Sequence, residues 1–137
     1  MKKYLHFLVL LVAVIGAIGC SSADNSNITK LIQELKAQDL KVKDITEENK
    51  KEIGGLDEIE ATILLVDENE RVFIEIPEDI EKSLEERLTM YTSPVILFTG
   101  APHLYTMDEL VISYFGQNEK VLNALEQTAG KSLVNRQ

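Results

Sequence analysis

Cysteine is almost absent from this 137-residue chain. Cys20 is the only one, so no intramolecular disulfide can staple the fold and no cysteine cluster can hold a metal. Histidine is nearly as scarce, with His6 inside an apolar N-terminal run and His103 the only one after it. A hydrolase of the Ser-His-Asp type would have to use His103, yet no Gly-x-Ser-x-Gly elbow accompanies it. Phosphate-binding glycine loops and paired His/Cys ligand spacings are also missing, and a zinc site would need His103 plus carboxylates far away in sequence. Positive charge is short as well: 14 Lys and Arg stand against 23 Asp and Glu. That balance excludes the clustered basic surface that displaces counterions from nucleic acid. The longest apolar run, Leu5 to Gly19, is about 15 residues and is interrupted by His6, against roughly 20 residues for a membrane-spanning helix.

What the N-terminus does contain is ordered. Lys2 and Lys3 lead into the apolar run, which closes on Ala17-Ile18-Gly19-Cys20. A charged start, a short apolar middle and a small-residue exit are the pattern of a secretory signal. The cysteine that follows resembles a bacterial lipobox. The resemblance implies that residues 1–19 are removed as a signal peptide, that the Cys20 sulfur carries a diacylglyceryl group, and that the chain is lipid-anchored on the extracytoplasmic face of the cell membrane. Two other readings compete. Ala17 and Gly19 fit ordinary signal peptidase cleavage before Cys20, as Ser21 and Ala23 do before Asp24, and the run could also stay as an uncleaved anchor. Residues 20–27 read as the lipidated cysteine and a polar tether of seven residues, Ser21 to Asn27, with a random-coil span of about 15 Å.

Loss of residues 1–19 removes Lys2 and Lys3 and leaves 12 basic against 23 acidic residues, a net of −11. The acids are unevenly placed: residues 28–51 carry a net of +1, residues 52–90 a net of −10, and residues 91–137 a net of −1. The middle third is the acidic region, expected to solvate the domain and to present a surface to a partner. The lysine-bearing N-terminal segment is expected to lie nearest the lipid.

Residues 28–130 read as one globular domain, with 131–137 as a flexible tail. Ile28, Leu31, Ile32 and Leu35 recur at helical spacing behind Asn27 or Ser26. Leu40 to Ile45 alternates as a half-buried strand. Thr46 to Leu56, charged and holding Gly54-Gly55, reads as a loop or irregular strand. Glu60 to Val66 and Arg71 to Ile76 form a hairpin around Asp67-Glu68-Asn69-Glu70. Pro77 suits the first position of a helix with Ile80, Leu84, Leu88 and Tyr91 on its buried stripe. Val95 to Thr99 reads as a short central strand, His103 to Phe115 as a second hairpin, and Asn118 to Gly130 as a capped helix. The order α-β-ββ-α-β-ββ-α predicts an α+β fold, an antiparallel sheet of about five to six strands with helices packed on one face.

The candidate binding residues are His103 and its neighbour Tyr105, and the carboxylates Glu78, Asp79 and Glu81 at a helix start. No catalytic set and no metal site is expected. Asp67 to Glu70 offers oxygen ligands but lacks the glycine and spacing of a calcium loop. Tyr91, Tyr105, Tyr114 and Phe115 would make a recognition surface if they clustered, and otherwise are ordinary packing.

Three stretches are familiar together: Ala101-Pro102-His103-Leu104-Tyr105, Leu110 to Gly116, and Glu119-Lys120-Val121-Leu122-Asn123-Ala124-Leu125-Glu126 with Gly130. They resemble the ending of small, functionally uncharacterised lipoproteins of low-GC Gram-positive bacteria. Thr106-Met107-Asp108-Glu109 stands where those proteins often carry a Lys-Lys-Gly turn. The resemblance implies an extracytoplasmic location and a similar fold. The expected role is a non-enzymatic interaction or binding module at the cell envelope. It would be tied to the bilayer through Cys20, with a membrane or secreted protein as partner, without nucleic acid and without a cofactor. The alternative is a lipoprotein that binds a small molecule or metal ion, or a small envelope hydrolase.

Overall fold

The computed structural model describes residues 23–52, 61–95 and 98–134. In chain order the elements are α1 (Ala23–Ala37), β1 (Val42–Asp44), α2 (Thr46–Glu52), β2 (Ala61–Val66), β3 (Glu70–Glu75), α3 (Ile80–Thr92), β4 (Pro102–Met107), β5 (Leu110–Phe115) and α4 (Glu119–Ala129). The strands form one sheet in the order β1-β2-β3-β5-β4, every neighbouring pair antiparallel. The fold is the expected α+β arrangement, at five strands.

Local chemistry explains the ends of the elements. Asn118 caps α4 by accepting the Lys120 N–H at 3.1 Å, and Gly130 ends the helix at φ 84°, a left-handed conformation that costs glycine little. Asp79 caps α3 through the Lys82 N–H at 3.0 Å. The helix therefore starts after Asp79, at Ile80, three residues later than Pro77 suggested. Ahead of α2, the Asp44 carboxylate takes the Thr46 N–H and hydroxyl at 2.9 and 2.6 Å, and Glu47 and Glu48 follow in the first turn. This capping makes residues 46–52 helical where a loop or irregular strand was expected; residues 53–56 of that stretch lie outside the described residues. α1 begins at Ala23 and takes in residues 23–27 of the expected tether.

Side chains alternate between two buried faces. On the first, Leu64, Val66, Val72, Ile74, Ile112 and Tyr114 meet Leu31 and Leu35 of α1 and Val121 and Leu125 of α4. On the second, Leu104 and Val111 meet Tyr91 of α3, with Ile80, Leu84, Leu88, Phe98 and Phe115 packed around them. The expectation of helices on one face thus holds for α1 and α4 and fails for α3. The reason is topological. β3 and β4 both run antiparallel to β5 and flank it, so the chain must cross β5 to link them, and α1 and α4 already fill the first face. Strand β5 is consequently buried on both sides, which suits its continuous apolar run.

Two further expectations change. No strand occupies the described residues of 95–99: Val95 is 85% exposed, Phe98 packs on the second core, and Ile96 and Leu97 lie outside the described residues. Residues 131–134 of the expected flexible tail are docked along β4. Leu133 N–H donates to the Leu104 carbonyl at 2.8 Å, Leu104 N–H donates to Ser132 Oγ at 3.2 Å, and Val134 is buried in the second core. Peptide groups of an edge strand need partners, and here the tail supplies them.

Candidate functional site

The described candidate residues fall in two separate places, and the structure adds a third. His103 and Tyr105 lie two apart on β4, on the first face. The His103 ring stacks on Tyr105 and Tyr114, with centroids 6.5 and 5.9 Å away. Its Nε2 lies 3.1 Å from the Gly116 carbonyl. A carbonyl only accepts, so Nε2 carries the proton and donates. Tyr114 is fixed at both lone pair and proton: its hydroxyl donates to Glu70 Oε2 at 2.6 Å and accepts the Asn118 N–H at 3.2 Å. Burial first, and then the Glu70 carboxylate, push this phenol above its ordinary range. Tyr105 is wholly buried, and its hydroxyl has no hydrogen-bond partner among the described residues. Burial, with the charge of Glu126 behind it, pushes that phenol up to about 12. The cluster is a packed ladder of rings against α4, with its histidine committed to a backbone carbonyl. It lends itself to holding the sheet rather than to proton transfer.

Glu78, Asp79 and Glu81 surround the start of α3. Asp79 is spent as the helix cap, and Glu78 and Glu81 are exposed. They sit at the end of the sheet that carries the β4–β5 turn, where Ile76, Pro77, Glu78 and Ile80 share a shallow depression with Asp108 and Glu109. α1 starts at this same end, because Lys30 pairs with Asp108 at 3.0 Å while the Asp39 carbonyl, beyond the other end of α1, is held at 2.8 Å by Lys120. Lys120 also pairs with Asp67 at 3.1 Å in the β2–β3 turn, at the opposite end of the sheet. Asp67 is held below the usual carboxylate range by the Lys41 N–H and then by Lys120. The turn's oxygens therefore serve the fold, and no group of three or more His, Cys, Asp or Glu among the described residues is arranged to hold a metal. Cys20 lies outside the described residues.

The third place is one that sequence reasoning missed. On the second face, toward β2 and β3, α3 does not close fully on the sheet, and a cavity of about 180 Å³ remains. Ala61, Ile63, Phe73, Phe98, Phe115 and Met90 supply apolar walls. The rings form one cluster: Phe115 meets Phe73 edge-on at 6.0 Å and Tyr91 at 5.2 Å, and stacks on Phe98 at 5.2 Å. Two polar features line it. Tyr91 donates to Ser113 Oγ at 2.8 Å, both groups buried, and Arg87 pairs with Glu75. Burial opposes the guanidinium charge, and the Glu75 carboxylate outweighs it and raises the Arg87 pKa. Thr46 joins the wall while its Oγ1 accepts the Ile63 N–H at 2.9 Å, tying α2 to β2.

The tyrosine group considered from sequence is therefore split. Tyr105 and Tyr114 belong to the first face, and Tyr91 and Phe115 to the second. The available signal was Phe73 and Phe115, which sit on the strand positions opposite the main apolar stripe. An apolar pocket with a few fixed polar groups is the usual form of a binding site. No helix among the described residues is long and apolar enough to cross a membrane. No known protein family, no curated protein and no solved structure matches the chain.

Proposed function

We propose that the protein is an extracytoplasmic lipoprotein, acylated on Cys20, whose domain is a non-enzymatic binding module at the cell envelope. The observation that carries the binding reading is the cavity under α3, apolar-walled and bounded by polar groups that are already paired with one another. A catalytic reading has less support. His103 donates to Gly116 and stands on the face away from the cavity.

The anchor reading rests on the N-terminal pattern, and the start of α1 adds a geometric consequence. Three residue steps separate Cys20 from Ala23, at most about 11 Å of extended chain. Acylation would hold the β4–β5-turn end of the sheet, with Asp108 and Glu109, toward the lipid surface. The flank formed by α3 is left as the surface open to a partner.

Two arms test the reading. Cells fed an alkyne fatty acid should label the wild-type chain and leave Cys20→Ala unlabelled, with the variant released or held as precursor; Cys20→Ala that stays in the membrane refutes the anchor. Photo-crosslinking from position 90 in intact cells should give a saturable, specific adduct. Absence of any specific adduct from a folded, membrane-held protein would sink the binding module.

A further inference from the structure

We infer that the cavity beneath α3 is an anchor site for a polypeptide partner, which inserts one aromatic side chain past Met90 and lays Lys or Arg along the carboxylates of α3. This rests on the binding-module reading and specifies its partner. Size sets the first limit. At about 180 Å³ the cavity is close to the roughly 150 Å³ that accepts benzene and well below the roughly 300–1,000 Å³ of clefts for drug-sized ligands. It holds one ring.

Energy sets the second limit. Burial of a single aromatic side chain contributes on the order of 1.5–3 kcal/mol, little for a free molecule of that size but typical of an anchor residue in a larger interface. The rest of the affinity must come from the rim. Met90 is 38% exposed and is shared between the cavity and the shallow grooves along α3. Those grooves carry Glu78, Asp79, Glu85 and Glu86, with Lys82 as a cation that forms no ion pair among the described residues. The other cation, Arg87, is committed to Glu75. The rim therefore favours cationic flanks and repels an acidic peptide or an anionic lipid headgroup. Methionine at the mouth suits this use, because its unbranched, polarizable chain repacks around an inserted ring.

The test uses the full acylated protein in nanodiscs. Its ligand is a short fluorescent peptide with a central phenylalanine between lysines. Saturable binding is expected, and alanine at the centre or glutamate in the flanks should each weaken it by about tenfold or more. Ala61→Phe, which fills the cavity, should abolish binding, and the Glu85→Lys/Glu86→Lys pair should weaken it about tenfold, both without lowering the melting temperature. Equal binding of the alanine-centred peptide would overturn the inference in favour of charge alone. Indole that binds as tightly as the peptide, with that binding lost in Ala61→Phe, would overturn it in favour of a free small molecule and leave the module standing. Binding that appears only in Leu56→Ser or Ile59→Ser would assign the cavity to the chain's own residues 53–60. No binding by any probe also overturns the inference, while the cross-linking arm decides the broader reading independently.

Discussion

The two faces of the sheet are built by the same alternating strands and are finished differently. The first face is closed by two helices. Gln38 Nε2, at the end of α1, reaches the Ala124 carbonyl at 3.2 Å and Thr128 Oγ1 at 2.9 Å on α4, so the helices are joined above the core as well as packed on it. On the second face, among the described residues, α3 covers β5 and β4 and leaves Phe73 and Ile63 beside a cavity that Thr46 of α2 also edges. Two helices per face leave no room for a guest. Where α3 stops short of β2 and β3, space remains among the described residues, and aromatic rings line it.

The largest contrast should come from truncation. Leu125→Ala, wholly buried in the closed face, should cost about 3 kcal/mol in urea unfolding, whereas Met90→Ala at the cavity mouth should cost under about 1 kcal/mol. Similar losses at both would mean that the cavity is not open. Enlargement reverses the sign of the test. Ala124→Ile, between α4 and the first core, should lose about 1–3 kcal/mol through overpacking, while Ala61→Ile should be neutral or gain stability by occupying empty space. A third comparison removes one hydroxyl from each face. Tyr91→Phe strands the buried Ser113 hydroxyl and should cost about 1–2 kcal/mol, but Tyr105→Phe removes a hydroxyl that has no partner among the described residues and should be neutral or slightly stabilising.

The smallest effect is a dependence on pH. The folded Tyr105 phenol titrates at about 12, above its ordinary value of 10.0. Its contribution is therefore complete below pH 10 and is lost as pH rises from there through the folded value, because the unfolded chain ionises first. Wild-type stability should fall across that window, and Tyr105→Phe should flatten part of the fall. An unchanged slope in the variant would place the alkaline transition elsewhere, with the raised Tyr114 phenol as the next residue to replace.

Much of this architecture was legible in the sequence because it rests on local periodicity. The α3 stripe of Ile80, Leu84, Leu88 and Tyr91, both hairpins, and the α4 span between Asn118 and Gly130 are each set by spacing and by cap or turn residues close in the chain. The α2 helix was missed because its start depends on Asp44 capping a charged segment that has no apolar stripe. The side chosen by α3 was hidden for another reason. Phe73 stands between Arg71 and Glu75, so its strand face reads as solvent-exposed until Phe115, Phe98 and Tyr91 arrive from elsewhere in the chain. The cavity was less legible still, since its walls come from α2, β2, β3, α3, β5 and the segment at Phe98. His103 drew attention through its rarity, and it proved to be a stacked ring with its proton given to Gly116.

The Gln38 clasp also sets a timetable. Its partners Ala124 and Thr128 lie 86 and 90 positions further along the chain, so the seam between α1 and α4 cannot close until almost everything else has been made. Contacts of such long sequence separation slow folding. A newly made chain can lay α1 on β2 and β3 before then, but the first face stays half roofed until α4 arrives.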